Sequence, residues 1–116
     1  MRQGDLVIAR QGDIVEFDFN PSIGHEPKGR RPGLVVSTDR FSLGTSMSLI
    51  CPITTTDNGF PLHLRLPDDV GEVYGYVVTE QVRAFDLASR NARLLVHLDA
   101  DGEFMRDVVS VVKSFY

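Results

Sequence analysis

A mainly β fold of the α+β type is what this sequence predicts: a small, barrel-like sheet of twisted antiparallel strands carrying one C-terminal helix. Three observations lead there. Short apolar runs, alternating or continuous, recur along the chain and are separated by glycine, proline and asparagine. A helical period is found only after Asp101. At 116 residues and 42% hydrophobic content, the chain is the size of one compact domain that buries a core without disulfides or metal.

The elements follow in order. GDIVEFDFN sets Val15, Phe17 and Phe19 on one face and Glu16 and Asp18 on the other, a half-buried strand. The stretch 21–32 holds Gly24, Gly29 and three prolines, which predicts a long loop. GLVVST is a buried strand, SLGTS a turn, and MSLICPI another buried strand. Asn58-Gly59 invites a positive-φ turn and hence a hairpin into PLHLRL, with Leu62, Leu64 and Leu66 inward and His63 and Arg65 outward. VYGYVVTEQVRAF reads as one long strand bent at Gly75, and ARLLVHL as the last strand. Phe104, Val108, Val111, Val112 and Phe115 recur at helical spacing behind an N-cap at Asp101, with Glu103 in the first turn. The many valines lower helix propensity, so tertiary burial has to hold this helix.

Composition narrows the function classes. No apolar run approaches the ~20 residues that a membrane span needs, and MRQGDLVIAR lacks the pattern of a secretory signal. A soluble, cytoplasmic protein without a membrane partner is expected. Cys51 is the single cysteine, in the apolar run SLICPI, which suits a buried, inert thiol. His63 and His97 lie on separate strands without a ligand-spaced partner, so neither a metal site nor a cofactor is expected. A net charge of −4 argues against a broadly basic nucleic-acid coat protein, and any RNA contact must be local. GHEPKGRRP gathers His25, Lys28, Arg30 and Arg31 into one short segment. Two readings stand for it: a solvated turn, or a holder of RNA phosphate.

Taken in order, the blocks GDIVEFDFNPSIGHEPKGRRPGLVVS, CPITTT, NGFPLHLRL, VTEQVRAFD and HLDADGEFMRDV resemble the MazF/PemK toxins of bacterial toxin–antitoxin pairs. The resemblance starts near Gly12, which leaves residues 1–11 as an N-terminal extension of a single toxin domain spanning 1–116. It implies an SH3-like, CcdB/MazF-type fold, a homodimer, and sequence-selective, metal-independent cleavage of single-stranded RNA, which would block translation and growth. It also implies a cognate antitoxin, whose acidic flexible tail would imitate RNA in the basic groove.

By position, Arg31 matches the family's loop arginine before proline, and Thr54 the threonine that ends its third core strand. Metal-free RNA cleavage uses the neighbouring 2′-hydroxyl as nucleophile, so the enzyme supplies proton transfers and stabilises charge on the phosphate. A guanidinium grips two phosphate oxygens and stays charged, which suits Arg31, and Pro32 restrains the arginine backbone. Thr54 can donate its hydroxyl to the same phosphate, although a threonine ending a strand also serves as a cap. His25, in the Gly-His-Glu block, can move a proton or simply be exposed. Glu80 stands where the Kid/PemK toxins place a catalytic aspartate, but their arginine two residues earlier is Val78 here. Lys28, Arg30, Thr55, Gln81 and Arg83 are the candidate RNA contacts. Gln81 and Arg83 alternate with Val82 and so share a face, while an ion pair between Arg83 and Asp86 is the competing reading. A second function class remains: a CcdB-like toxin that poisons gyrase by protein contact. That class would use a hydrophobic C-terminal anchor, usually with tryptophan, whereas this chain ends Phe115-Tyr116 and has no tryptophan.

Overall fold

The computed structural model describes residues 9–19 and 29–116. His25 and Lys28 lie outside the described residues, as do residues 1–8 of the extension. Among the described residues, seven strands and two helices follow one another as β1 (Asp13–Asp18), β2 (Arg30–Val35), α1 (Asp39–Thr45), β3 (Ser48–Thr54), β4 (His63–Arg65), β5 (Tyr76–Val78), β6 (Arg83–Phe85), β7 (Arg93–His97) and α2 (Glu103–Lys113). The strands pair antiparallel in the order β4-β5-β3-β2-β1-β7, with β6 on the other half of β3.

Alternation along the central strands feeds two cores. Ile14, Leu34, Cys51 and Val77 pack with Met105, Val108 and Val112 of α2. Val15, Phe17, Val35, Ile50 and Phe85 form the second cluster on the opposite face. Because both faces of β1, β2 and β3 are buried, the sheet curls around its own side chains, and a register shift between Ile14 and Val15 in the β1–β7 pairing adds to the bend. Gly33 serves this packing, since a Cβ there would stand 2.5 Å from Ile50 Cγ2. No helix among the described residues is long and apolar enough to cross a membrane.

Several expectations are corrected. Arg30 and Arg31 are not in a loop: they open β2, opposite Asp18 and Phe17 of β1. Pro32 permits this because β3 pairs with β2 only from Gly33 onward, so its missing N–H takes nothing from that ladder. SLGTS is the end of α1 rather than a turn. Thr38 caps this helix, its Oγ1 accepting from the Phe41 N–H at 3.2 Å, and Ser46 closes it in the left-handed region at φ 61°. Gly44 and the flanking serine and threonine hid it, being poor helix formers.

Gly59 does take a positive φ, of 71°, but β3 and β4 form no hairpin. β5 lies between them and pairs with both. The long strand predicted over VYGYVVTEQVRAF divides in two, with a 3-10 turn at Thr79–Gln81 between β5 and β6. The division follows from β3, whose edge pairs with β6 up to Ile50 and with β5 from Ile53, leaving Pro52, which has no N–H to donate, in the interval. Gly75 bends as expected, at φ 132°, where any Cβ would strike the Thr54 carbonyl. The N-cap of α2 is Gly102, without a side-chain cap; Asp99, not Asp101, offers its carboxylate locally, to the Asp101 N–H. Of the helical apolar set, Val108 and Val112 are buried while Phe115 is exposed beyond the helix end. Within the extension, Ala9 is buried in the second cluster and the Gln11 side chain donates to the Val36 carbonyl, so its last residues belong to the core.

Candidate functional site

On the face away from α2 the sheet opens into a cleft of about 460 Å³. Phe19, Gly29 and Arg31 form one wall, Pro52 of β3 contributes the centre, and Gln81, Val82, Arg83 and Phe85 form the other wall. The base is aromatic. Phe17 and Phe19 stack at 4.4 Å, and Phe85 meets their rings edge-on at 4.9 and 5.2 Å. Both Arg83 and Arg90 place a guanidinium against the Phe85 ring, at 4.8 and 4.9 Å from its centre. Arg90 also donates to the carbonyls of Asp18 and Phe19, which ties down the end of β1 beside the cleft.

The charges sort themselves sharply. Arg30 is only 27% exposed at its side chain and is shared between Glu16 at 3.5 Å and Asp18 at 3.2 Å. It also donates to the carbonyls of Glu16 and Asn91. Its positive charge is spent on bracing β1 against β2. The Arg31 side chain points to the opposite face, into the cleft, and makes no ion pair or hydrogen bond among the described residues, nor does that of Arg83 beyond its ring contact. The competing Arg83–Asp86 ion pair is not formed; Asp86 instead accepts from the Ala88 N–H. Two guanidiniums without a carboxylate partner among the described residues therefore face one cleft, a setting that attracts anions.

Thr54 is not among the residues that line the cleft; it ends β3 two residues beyond Pro52 and pairs with Tyr76 of β5. Alternation puts Thr54 on the face of Ile50 and Pro52. Its Oγ1 accepts from the Thr56 N–H at 3.2 Å, which leaves the hydroxyl hydrogen to donate elsewhere. Thr55 is not brought to the cleft. It lines a separate polar depression with Arg65, Glu72 and Tyr76. There the hydrogen bond to Asp57, then burial and the Asp57 charge, push the Tyr76 hydroxyl up against the opposing pull of Arg65.

Glu80 is not among the residues that line the cleft, although Gln81 beside it is. Its Oε2 lies 2.9 Å from His63 Nε2, and the His63 side chain, expected on a wet face, is only 10% exposed. Burial, and secondarily the Glu80 charge, push the Cys51 thiol up to about 12, so this cysteine offers no thiolate. His97 bonds Asp13 at 2.7 Å, a link between β7 and β1. Sequence reasoning missed Phe19 and Phe85 as cleft walls, Arg90 as a brace and His63 as the partner of Glu80. The alternation of FDF was a signal for the first; the others depend on contacts across the fold.

The sequence of the chain matches, over residues 10–116, the family described as PemK-like, MazF-like toxin of type II toxin-antitoxin system. The chain belongs to this family. It is 44% identical over 90 residues to the endoribonuclease toxin ChpB of Escherichia coli (strain K12), covering 72% of this chain and 74% of that protein. The fold agrees with the crystal structure of MazF from Deinococcus radiodurans at a TM-score of 0.77 and 33% identity, covering 93% and 96% of the two chains. It also agrees with a MazE-MazF structure from the same organism at a TM-score of 0.75 and 30% identity, covering 93% and 94%. The expected antiparallel sheet with a C-terminal helix is thus the fold of MazF. The gyrase-poisoning alternative gains nothing, since these relatives are endoribonuclease toxins or MazF proteins.

Proposed function

We infer that this toxin is a sequence-selective endoribonuclease that binds single-stranded RNA in the cleft between β2 and β6 and cuts it by attack of the 2′-hydroxyl. The observation that carries the reading is the pair of guanidiniums, Arg31 and Arg83, facing one aromatic-floored cleft without a neutralising carboxylate among the described residues. Membership of the toxin family and the names of its relatives support the activity.

In the reaction the 2′-oxygen bonds to phosphorus as the bond from phosphorus to the 5′-oxygen breaks. The nucleophile loses a proton and the leaving oxygen gains one. Arg31 grips the two non-bridging oxygens, whose negative charge grows in the transition state. Thr54 donates its remaining hydroxyl hydrogen to the same phosphate. His25 is the group assigned to proton transfer. Gln81 reads a base edge, and the flat Arg83 guanidinium offers a stacking surface or a phosphate contact. Lys28 holds a peripheral phosphate. Arg30, committed to Glu16 and Asp18, shapes the strand that carries Arg31, and Glu80 is assigned no proton transfer because His63 holds its carboxylate outside the cleft wall.

Two copies of the chain form a twofold dimer, and a cognate antitoxin with an acidic flexible tail occupies the cleft in the cytoplasm, where its messenger RNA targets are. The MazE-MazF structures of a relative support an antitoxin partner. Incubation of the purified protein with mixed-sequence RNA in EDTA is expected to give discrete fragments. Intact RNA across several substrates overturns the reading. Co-expression with the neighbouring reading frame is expected to yield a complex centred on a toxin dimer.

A further inference from the structure

The turn Thr79–Gln81, which brings Gln81 to the cleft, is fastened by side-chain bonds to the start of β4. Thr79 is fully buried, and its hydroxyl donates to the Leu62 carbonyl at 2.7 Å. The next residue, Glu80, meets His63 Nε2 at 2.9 Å. His63 is itself fixed by pairing with Val78, by its N–H donating to the Phe60 carbonyl at 2.9 Å, and by the Phe60 ring edge-on at 5.1 Å. Three consecutive residues of the turn thus have three different tasks. Thr79 anchors, Glu80 latches, and Gln81 faces the cleft.

The latch has a defined polarity. His63 Nδ1 is buried and has no hydrogen-bond partner among the described residues. A hydrogen on Nδ1 would be a donor closed off from water with nothing to receive it, a more costly orphan than a bare ring nitrogen. The hydrogen therefore sits on Nε2 and is donated to the Glu80 carboxylate, which acts as acceptor.

We propose that His63 and Glu80 are positioning residues whose hydrogen bond locks the Thr79–Gln81 turn and so sets the angle at which Gln81 meets a base of single-stranded RNA. The proposal rests on the RNA-cleaving reading above and assigns the pair to base selection rather than to proton transfer. A base-reading amide discriminates only while it is held at hydrogen-bonding geometry, and loosening the turn lets it accept the wrong edge.

The test compares Glu80→Gln, Glu80→Ala, His63→Ala and the double alanine variant on mixed-sequence RNA, reading the 5′ ends of the fragments. Glu80→Gln keeps an oxygen that accepts from Nε2–H and is expected to cut at wild-type sites at close to the wild-type rate. Each single alanine variant is expected to lose about tenfold in preference for the favoured site over its one-base neighbours. The double variant should lose no more than either single one, because both remove the same bond. A loss in Glu80→Gln of a hundredfold, the scale of a missing proton-transfer group, overturns the proposal, as does additive loss in the double variant. An arm without RNA separates this from failure of the nuclease reading. In long-range 15N–1H spectra of the wild-type protein His63 is expected to carry its hydrogen on Nε2, and Glu80→Ala is expected to shift the side-chain amide signals of Gln81. If Gln81 does not respond, the pair positions nothing and the proposal falls, whether or not the protein cuts RNA.

Discussion

The two faces of the central sheet are built from the same strands and differ in what covers them. Under α2, Ile14, Leu34, Cys51 and Val77 are closed off by Met105, Val108 and Val112 in one apolar cluster. On the other face, away from α2, Val15, Phe17, Val35 and Ile50 pack on Phe85. That face ends in a cleft instead, whose rim is Arg31, Gln81 and Arg83. One strand, β2, serves both, since Leu34 goes to the helix side while Arg31 and Val35 go to the cleft side. The lesson is that the position of α2 separates stability from function: the face under the helix holds the fold, and the face away from it is left to hold a ligand.

The largest effects test this division directly. Met105→Ala and Phe17→Ala both empty buried volume, and each is expected to lower unfolding free energy by roughly 2 to 5 kcal/mol, measured in urea. The folded fraction of Met105→Ala should cleave RNA at the wild-type rate per molecule. Phe17→Ala should also lose cleavage, because Phe17 pairs with Arg31 across the β1–β2 ladder and stacks on Phe19 at the cleft wall. Equal loss of specific activity in both variants would erase the difference between the faces.

Next in size is the contrast between neighbours. Arg31→Ala is expected to lose about a hundredfold or more in single-turnover cleavage, near 3 kcal/mol of transition-state stabilisation, with an unchanged melting temperature and intact antitoxin binding. Arg30→Ala should do the reverse: it removes partly exposed ion pairs to Glu16 and Asp18, with a stability loss of about 1 kcal/mol and little direct effect on the chemical step.

Smaller effects sharpen the map of the cleft. Thr54→Ala removes one neutral donor and is expected to slow cleavage by about tenfold, leaving residual activity. Lys28→Ala should remain toxic, weaken RNA binding uniformly, and reduce the slope of log affinity against log salt by about 1. If Lys28→Ala slows the chemical step as much as Arg31→Ala, the positive charge acts as a diffuse patch and the role given to Arg31 is wrong.

How much of this was written in the sequence can be judged residue by residue. Period-2 alternation in GDIVEFDF and helical spacing after Asp101 specify which side chains face inward, since those periods are properties of the backbone itself. The arginine-proline pair and the threonine closing CPIT are local as well, and the family resemblance is carried by such local blocks. The capped helix α1 stayed hidden because its residues are weak helix formers, and a cap is legible only once the chain has turned. The apparent equivalence of Arg30 and Arg31 was broken by strand pairing alone. Adjacent residues on a strand point to opposite faces, so one arginine met Glu16 and Asp18 and the other met no carboxylate among the described residues. In the same way Glu80 met His63, seventeen positions away in the chain, because β5 came to lie between β3 and β4. Residue type and spacing determined what chemistry the chain carries; which charges remain available for a phosphate was decided by register, because neutralisation requires contact and contact between distant segments exists only in the folded molecule.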